Sequence, residues 1–143
     1  MNSSYTTTLV PLTAEDKQVI KKAISTYYKP NIILLPLLVV CFFFGIWYLL
    51  FWLALVIWYN ISAFSSIKKN ERSLDQPKMI LTGKITKKEP PGEEMVIFLG
   101  GERFDITYAN VTFPLEVDDL VAIHYSQFDD KKRGELLSVE KKE

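Results

Sequence analysis

The stretch Asn31–Ile61, NIILLPLLVVCFFFGIWYLLFWLALVIWYNI, decides the fold. It lies inside a longer segment, residues 30–67, that contains no Asp, Glu, Lys, Arg or His. An apolar run of roughly 18 residues or more reads as a membrane-spanning helix. As one straight helix, Ile32–Ile61 would be about 45 Å long at ~1.5 Å per residue. The hydrocarbon core of a bilayer is about 30 Å thick, so a single span would need roughly 48° of tilt, beyond the usual range of about 0–40°. Cut at Gly45, the run gives two arms of about 15 strictly apolar residues, near 22 Å each. Uncharged flanks lengthen both arms, back to Tyr27 and onward through Ile67.

Aromatic placement and flanking charge both favour two crossings over a tilted single helix or a re-entrant loop. Trp and Tyr prefer the membrane–water interface. They occur as Tyr27-Tyr28, Trp47-Tyr48 and Trp58-Tyr59. A hairpin puts the outer pairs near one interface and Trp47-Tyr48 near the other, whereas a single span buries Trp47-Tyr48 at the midplane. Lys17, Lys21, Lys22 and Lys29 precede the run, and Lys68, Lys69 and Arg72 follow it. Positive flanks mark the cytoplasmic side, and positive flanks at both ends require an even number of crossings. The reading is a helical hairpin over 30–67 with its turn around Gly45–Tyr48. Both termini are then cytoplasmic, at a bacterial inner membrane.

The two halves of the chain differ in charge. Residues 1–73 carry seven Lys/Arg and three Asp/Glu; residues 74–143 carry ten and fourteen. The basic half suits anionic headgroups around the hairpin. The acidic half weighs against nucleic-acid binding, which needs a basic surface. The single cysteine, Cys41, lies in the apolar run, where packing in lipid is expected, and one cysteine allows no intramolecular disulfide. A cleavable signal peptide is not expected, because the run starts too far from Met1 and is too long.

Before the membrane segment, residues 1–12 read as a polar, disordered tail. Thr13 is a good N-cap, and Asp16 three residues on completes a capping-box-like start. Val19, Ile20, Ala23, Ile24, Tyr27 and Tyr28 follow helical spacing, with lysines on the opposite face. The spacing predicts an amphipathic helix over 13–29 that either lies on the bilayer or packs on the rest of the protein. Pro30 is expected to redirect the chain.

Beyond a charged linker, residues 68–77, the pattern turns strand-like. Met79–Lys88, Met95–Leu99, Glu102–Thr107, Leu120–Ser126 and Glu135–Lys142 are the expected strands. Gly100 and Gly101 form a two-residue hairpin turn, since glycine accepts positive φ. Five strands over 78–143 suggest a small all-β barrel of the OB or SH3-like kind, because closure removes exposed edges.

The run GKITKKEPPGEEMVIFLGGERFDI resembles the opening of the C-terminal domain of NfeD-like membrane proteins. Gly83, the Pro90-Pro91-Gly92 turn and Gly101-Glu102-Arg103-Phe104-Asp105 occur in the family's order. The resemblance covers about 60 residues and implies an OB-like fold beside other membrane proteins, in assembly or quality control. It supplies no catalytic residue.

Catalytic equipment is sparse. His124, the only histidine, falls opposite Val121, Ile123 and Tyr125 in strand alternation and is expected to face solvent. A base role with Asp118 or Asp119 is the sharper but weaker reading. One histidine and one membrane-embedded cysteine leave only an all-oxygen metal site, and no calcium-loop spacing occurs. Gly100-Gly101 lacks the Gly-Lys-Ser/Thr of a phosphate loop. A transport path is not expected, since polar groups in the run (Asn31, Asn60, Ser62) gather near one end. The expected function is that of a non-enzymatic accessory, assembly or scaffold subunit without metal or cofactor. Its partners are the bilayer and another membrane protein or a second copy, through strand edges and the loops 89–94 and 127–134. The rival is a tethered OB-like ligand or single-strand binder using Tyr108, Phe113, Tyr125 and Phe128 for stacking.

Overall fold

The computed structural model describes residues 5–89, 95–109, 111, 113–129 and 132–142. Helices α1 (Ala14–Tyr28), α2 (Asn31–Cys41) and α3 (Ile46–Ser73) lie between strand β1 (Tyr5–Val10) and strands β2 (Lys78–Lys88), β3 (Val96–Leu99), β4 (Glu102–Asp105), β5 (Leu120–Asp129) and β6 (Lys132–Lys142). A single 3₁₀ turn, Phe42–Phe44, joins α2 to α3.

The Thr13–Asp16 box starts α1. The Thr13 hydroxyl accepts from the Asp16 N–H (3.2 Å), and the Asp16 carboxylate accepts from the Thr13 N–H (2.8 Å). Pro30 does not redirect the chain as expected. Lys29 stays in the right-handed helical region, and the Leu34 N–H reaches back to the Pro30 carbonyl (2.9 Å), so α1 runs almost directly into α2. A proline is tolerated there because the first turn of a helix needs no N–H from it. The reversal falls at residues 42–45 rather than 45–48. Gly45 takes φ 112°, and Trp47 and Tyr48 already belong to α3, since nothing after the glycine breaks helical geometry.

Ala14–Val40 and Ile46–Ser73 are each long and apolar enough to cross a membrane. α3 spans 28 residues, about 42 Å. Residues 68–73, expected as a linker, form its last turns. Ala63, Ile67, Asn70 and Ser73 recur at helical spacing and are buried, while Lys68, Lys69 and Arg72 point outward.

The strands form one curled antiparallel half-barrel, consistent with the small β domain expected but with six strands among the described residues rather than five. The path is β4-β3-β2-β5-β6, and β1 pairs β2. β2 is the hinge of this arrangement. Its first half pairs β1 and β5, and its second half pairs β3 after a register shift between Ile85 and Lys87. The tail expected to be disordered is therefore corrected at residues 5–10, where Tyr5 lies opposite Gly83 and Val10 opposite Lys78. Its threonine-rich sequence suits a strand, and the exposed edge of β2 gives it a template. Leu99 pairs Glu102 across Gly100 and Gly101, both at positive φ, which is the turn the two glycines predict.

The core inside the curl is Leu81, Ile85, Ile97, Leu99, Phe104, Ile106, Val121 and Ile123, with neighbours. The outer face of β5 is buried too, because α3 lies over it while α1 packs on the neighbouring β6. The Pro90-Pro91-Gly92 turn, Asn110 and Lys131 lie outside the described residues, as does the Cys41 side chain.

Candidate functional site

The helical hairpin is tied at its base. Asn31 and Asn60 exchange two amide hydrogen bonds (3.0 and 3.2 Å), and the Asn60 amide also donates to the Val56 carbonyl (2.8 Å). The Tyr59 hydroxyl donates to the Tyr27 carbonyl (2.9 Å). These contacts make the arms antiparallel, with Tyr27, Tyr28, Trp58 and Tyr59 at the base. Trp47 and Tyr48 sit beside Gly45 at the tip, both exposed. Lys17, Lys21, Lys22, Lys29, Lys68, Lys69 and Arg72 are all exposed on the domain side of the Asn pair or beside it.

Above the base, α1 and α3 grip the sheet. Ile20 is fully buried, and Asp16 meets Lys78 at 2.8 Å in an ion pair hidden from solvent. Burial pushes the Asp16 carboxyl up, but the Lys78 ammonium and the Thr13 N–H and hydroxyl outweigh it and hold the group below the usual carboxylate range. His124 also lies in this layer, only 4% exposed, which corrects the solvent-facing expectation. Its alternation was read properly, yet the second face of β5 is covered by helices. Neither ring nitrogen has a hydrogen-bond partner among the described residues, and Nε2 is 3.7 Å from the Glu140 carboxylate. Burial pushes the imidazole pKa down, while Glu140 pulls it upward. Asp118 and Asp119 do not join it. Asp119 pairs with Lys141 (2.8 Å) and accepts from the Glu116 N–H, at the far end of β5.

A third cluster closes the curl of the sheet. Arg133 of β6 reaches Glu102 of β4 (2.7 Å), and its guanidinium stacks 4.8 Å from the Phe104 ring. The Tyr5 hydroxyl donates to Glu102 and accepts from Arg133, and its ring meets Phe104 edge-on. Arg133 holds the Glu102 carboxyl below its usual range. Side chains thus bridge a seam that backbone pairing leaves open. Beside it a cavity of about 370 Å³ opens over Leu9, Met79 and Leu81, with Gln127 and Arg133 at the rim.

The proposed stacking residues do not share a face. Tyr125 belongs to the core, Phe113 packs partly against it, Phe128 lies under the Lys69 ammonium (5.7 Å), and Tyr108 stands alone in solvent. Sequence reasoning missed the Asn31–Asn60 pair, the Asp16–Lys78 pair and the Tyr5–Glu102–Arg133 cluster. The first had a legible signal, an asparagine at each boundary of the apolar run. The other two join residues far apart in sequence. Compared with family models, curated proteins and solved structures, the chain matches none.

Proposed function

We propose that the chain is a non-enzymatic integral membrane protein whose hairpin crosses the bilayer twice and holds the half-barrel at the cytoplasmic surface. It serves there as an accessory, assembly or scaffold subunit of a membrane complex. One observation carries the reading: β1, before the apolar segment, pairs residue by residue with β2, after it. Two strands of one sheet lie on one side of a membrane, so any crossing between them must be even in number. The Asn31–Asn60 exchange supports the same geometry, since it aligns the arms about Gly45. The positive flanks favour the cytoplasm for both ends. The NfeD-like reading of Gly83–Asp105 leads to the same kind of role.

The interaction surface is the outer edge of β1 and the edge strand β4, where Arg103 and Asp105 are exposed, away from the helices. Unpaired strand edges recruit extended partners. A second reading, a tethered ligand binder, draws on the cavity over Leu9, Met79 and Leu81. Reporter tags at Met1 and Glu143 test the topology; tags on opposite sides of the membrane refute it. Crosslinking in cells followed by purification of the intact chain tests the role. A membrane protein recovered in fixed ratio supports it, and recovery of the chain alone, with no partner and no second copy, overturns it.

A further inference from the structure

Two cavities share Tyr27 as a lining residue, one mostly apolar and one lined by several polar side chains. The apolar cleft, about 370 Å³, runs between the arms at the hairpin base. Tyr28, Ile61, Phe64 and Ile67 line it, with the Asn31–Asn60 pair. The polar pocket, about 220 Å³, lies where α3 meets Phe128 of β5 and Arg133–Glu135 of β6. Ser66, Lys69, Asn70 and Glu135 line it. Lys69 is about 7 Å farther along α3 than Phe64, toward the sheet. The pair of cavities is therefore apolar on the membrane side and polar on the domain side.

The polar pocket carries both signs of charge. Lys69 makes no ion pair among the described residues; its ammonium rests over Phe128. Glu135 accepts one hydrogen bond from the buried Asn70 amide (3.1 Å), and its other oxygen has no partner among the described residues. Arg133 also borders the pocket, but Glu102 neutralises it at 2.7 Å. A purely anionic headgroup would meet Glu135. A headgroup with a phosphate and a primary ammonium matches Lys69 with the first and Glu135 with the second. We propose that this junction binds one phospholipid with a phosphoethanolamine headgroup, its phosphate at Lys69 and Ser66, its ammonium at Glu135 and an acyl chain in the cleft. The inference rests on the two-crossing reading.

The test uses the full chain in mild detergent with equimolar phosphatidylethanolamine, phosphatidylglycerol and phosphatidylcholine of distinct mass. Native mass spectrometry reads the retained lipid. The ethanolamine lipid should dominate by about tenfold, the scale of one charge-assisted hydrogen bond. Glu135→Gln should remove that preference, Lys69→Gln should lower retention of all three lipids, and Lys87→Gln, on the exposed part of β2, should change neither. Lys69 is exposed, Glu135 is half-buried, and Gln at 135 keeps the Asn70 contact, so the fold persists. Equal retention of the three lipids, dominance of the glycerol lipid, or an unchanged preference in Glu135→Gln would overturn the proposal. Alkaline carbonate extraction of the membrane-bound chain separates the two levels. Release would remove the membrane reading and this one with it, whereas retention without lipid preference would remove this one alone.

Discussion

The Asp16–Lys78 pair gives the sharpest prediction. Replacing Asp16 by Asn leaves the Lys78 ammonium buried with its partner's charge gone, since both side chains are less than a tenth exposed. It also weakens the capping box with Thr13. Removing one partner of a buried pair costs about 3–5 kcal/mol. A damaged N-cap adds up to about 1 kcal/mol. For a chain of this size the loss corresponds to a melting temperature lower by on the order of 10–20 °C. Asp16→Leu combined with Lys78→Met should recover most of the loss, because an apolar replacement of both partners is often neutral. The assay is thermal unfolding of the full chain in detergent, followed by near-ultraviolet circular dichroism. The pH profile separates the contributions further. Burial lowers the folded-state pKa of His124, so the unfolded chain binds the proton first and stability should fall as pH drops below about 6.5. The Asp16 carboxyl is also lowered, so its contribution is complete above about 3.9 and is lost as pH falls through its lower folded value. His124→Phe should abolish the first stage alone. An Asp16→Asn loss below about 1 kcal/mol would refute the reasoning, since that is the cost of an exposed pair.

Other expectations concern single positions. A Cβ at Gly134 would lie 2.4 Å from the Ser126 hydroxyl, so Gly134→Ala should destabilise by about 1–3 kcal/mol, and Ser126→Gly should rescue it in chemical unfolding. Gly101 has open space around it but φ 86°, so Gly101→Val should cost about 1–2 kcal/mol and Gly101→Asn clearly less in the same assay. Arg133→Leu should raise the Glu102 pKa toward its ordinary value in a carboxyl-labelled titration. It should also speed amide exchange along Tyr5–Val10, which the Arg133–Glu102–Tyr5 contacts hold in place. Asn60→Leu should weaken the hairpin by about 0.6–2 kcal/mol when unfolding is measured in bicelles.

The strand positions in the second half were legible because hydrophobic alternation and the Gly100-Gly101 turn are local signals. The helix at Ala14 was legible from Thr13 and Asp16, whose contact spans one turn. β1 was missed because Thr6, Thr7 and Thr8 become a strand only when β2 supplies an edge, a contact between residues far apart in sequence. The last turns of α3 read as linker because their burial depends on the sheet. His124 was misplaced for a related reason. Alternation identifies two faces of a strand but cannot say that helices cover the second one. Ala122 and Ser126, small residues on the same face as His124, were the available hint of close packing.

The chain order β1, helices, β2 makes the apolar helical segment a loop inside a β-hairpin. During synthesis at about 5–20 residues per second, β1 waits several seconds for its partner. Residues 11–77 must first be made and, on the two-crossing reading, inserted. A molecule whose apolar segment crossed only once would strand β1 on the far side, and β2 would keep a bare edge and an unsealed seam. Completion of the sheet thus reports on the outcome of insertion. A chain threaded wrongly would be recognisable by the very edge it failed to cover, an open template for pairing with other chains.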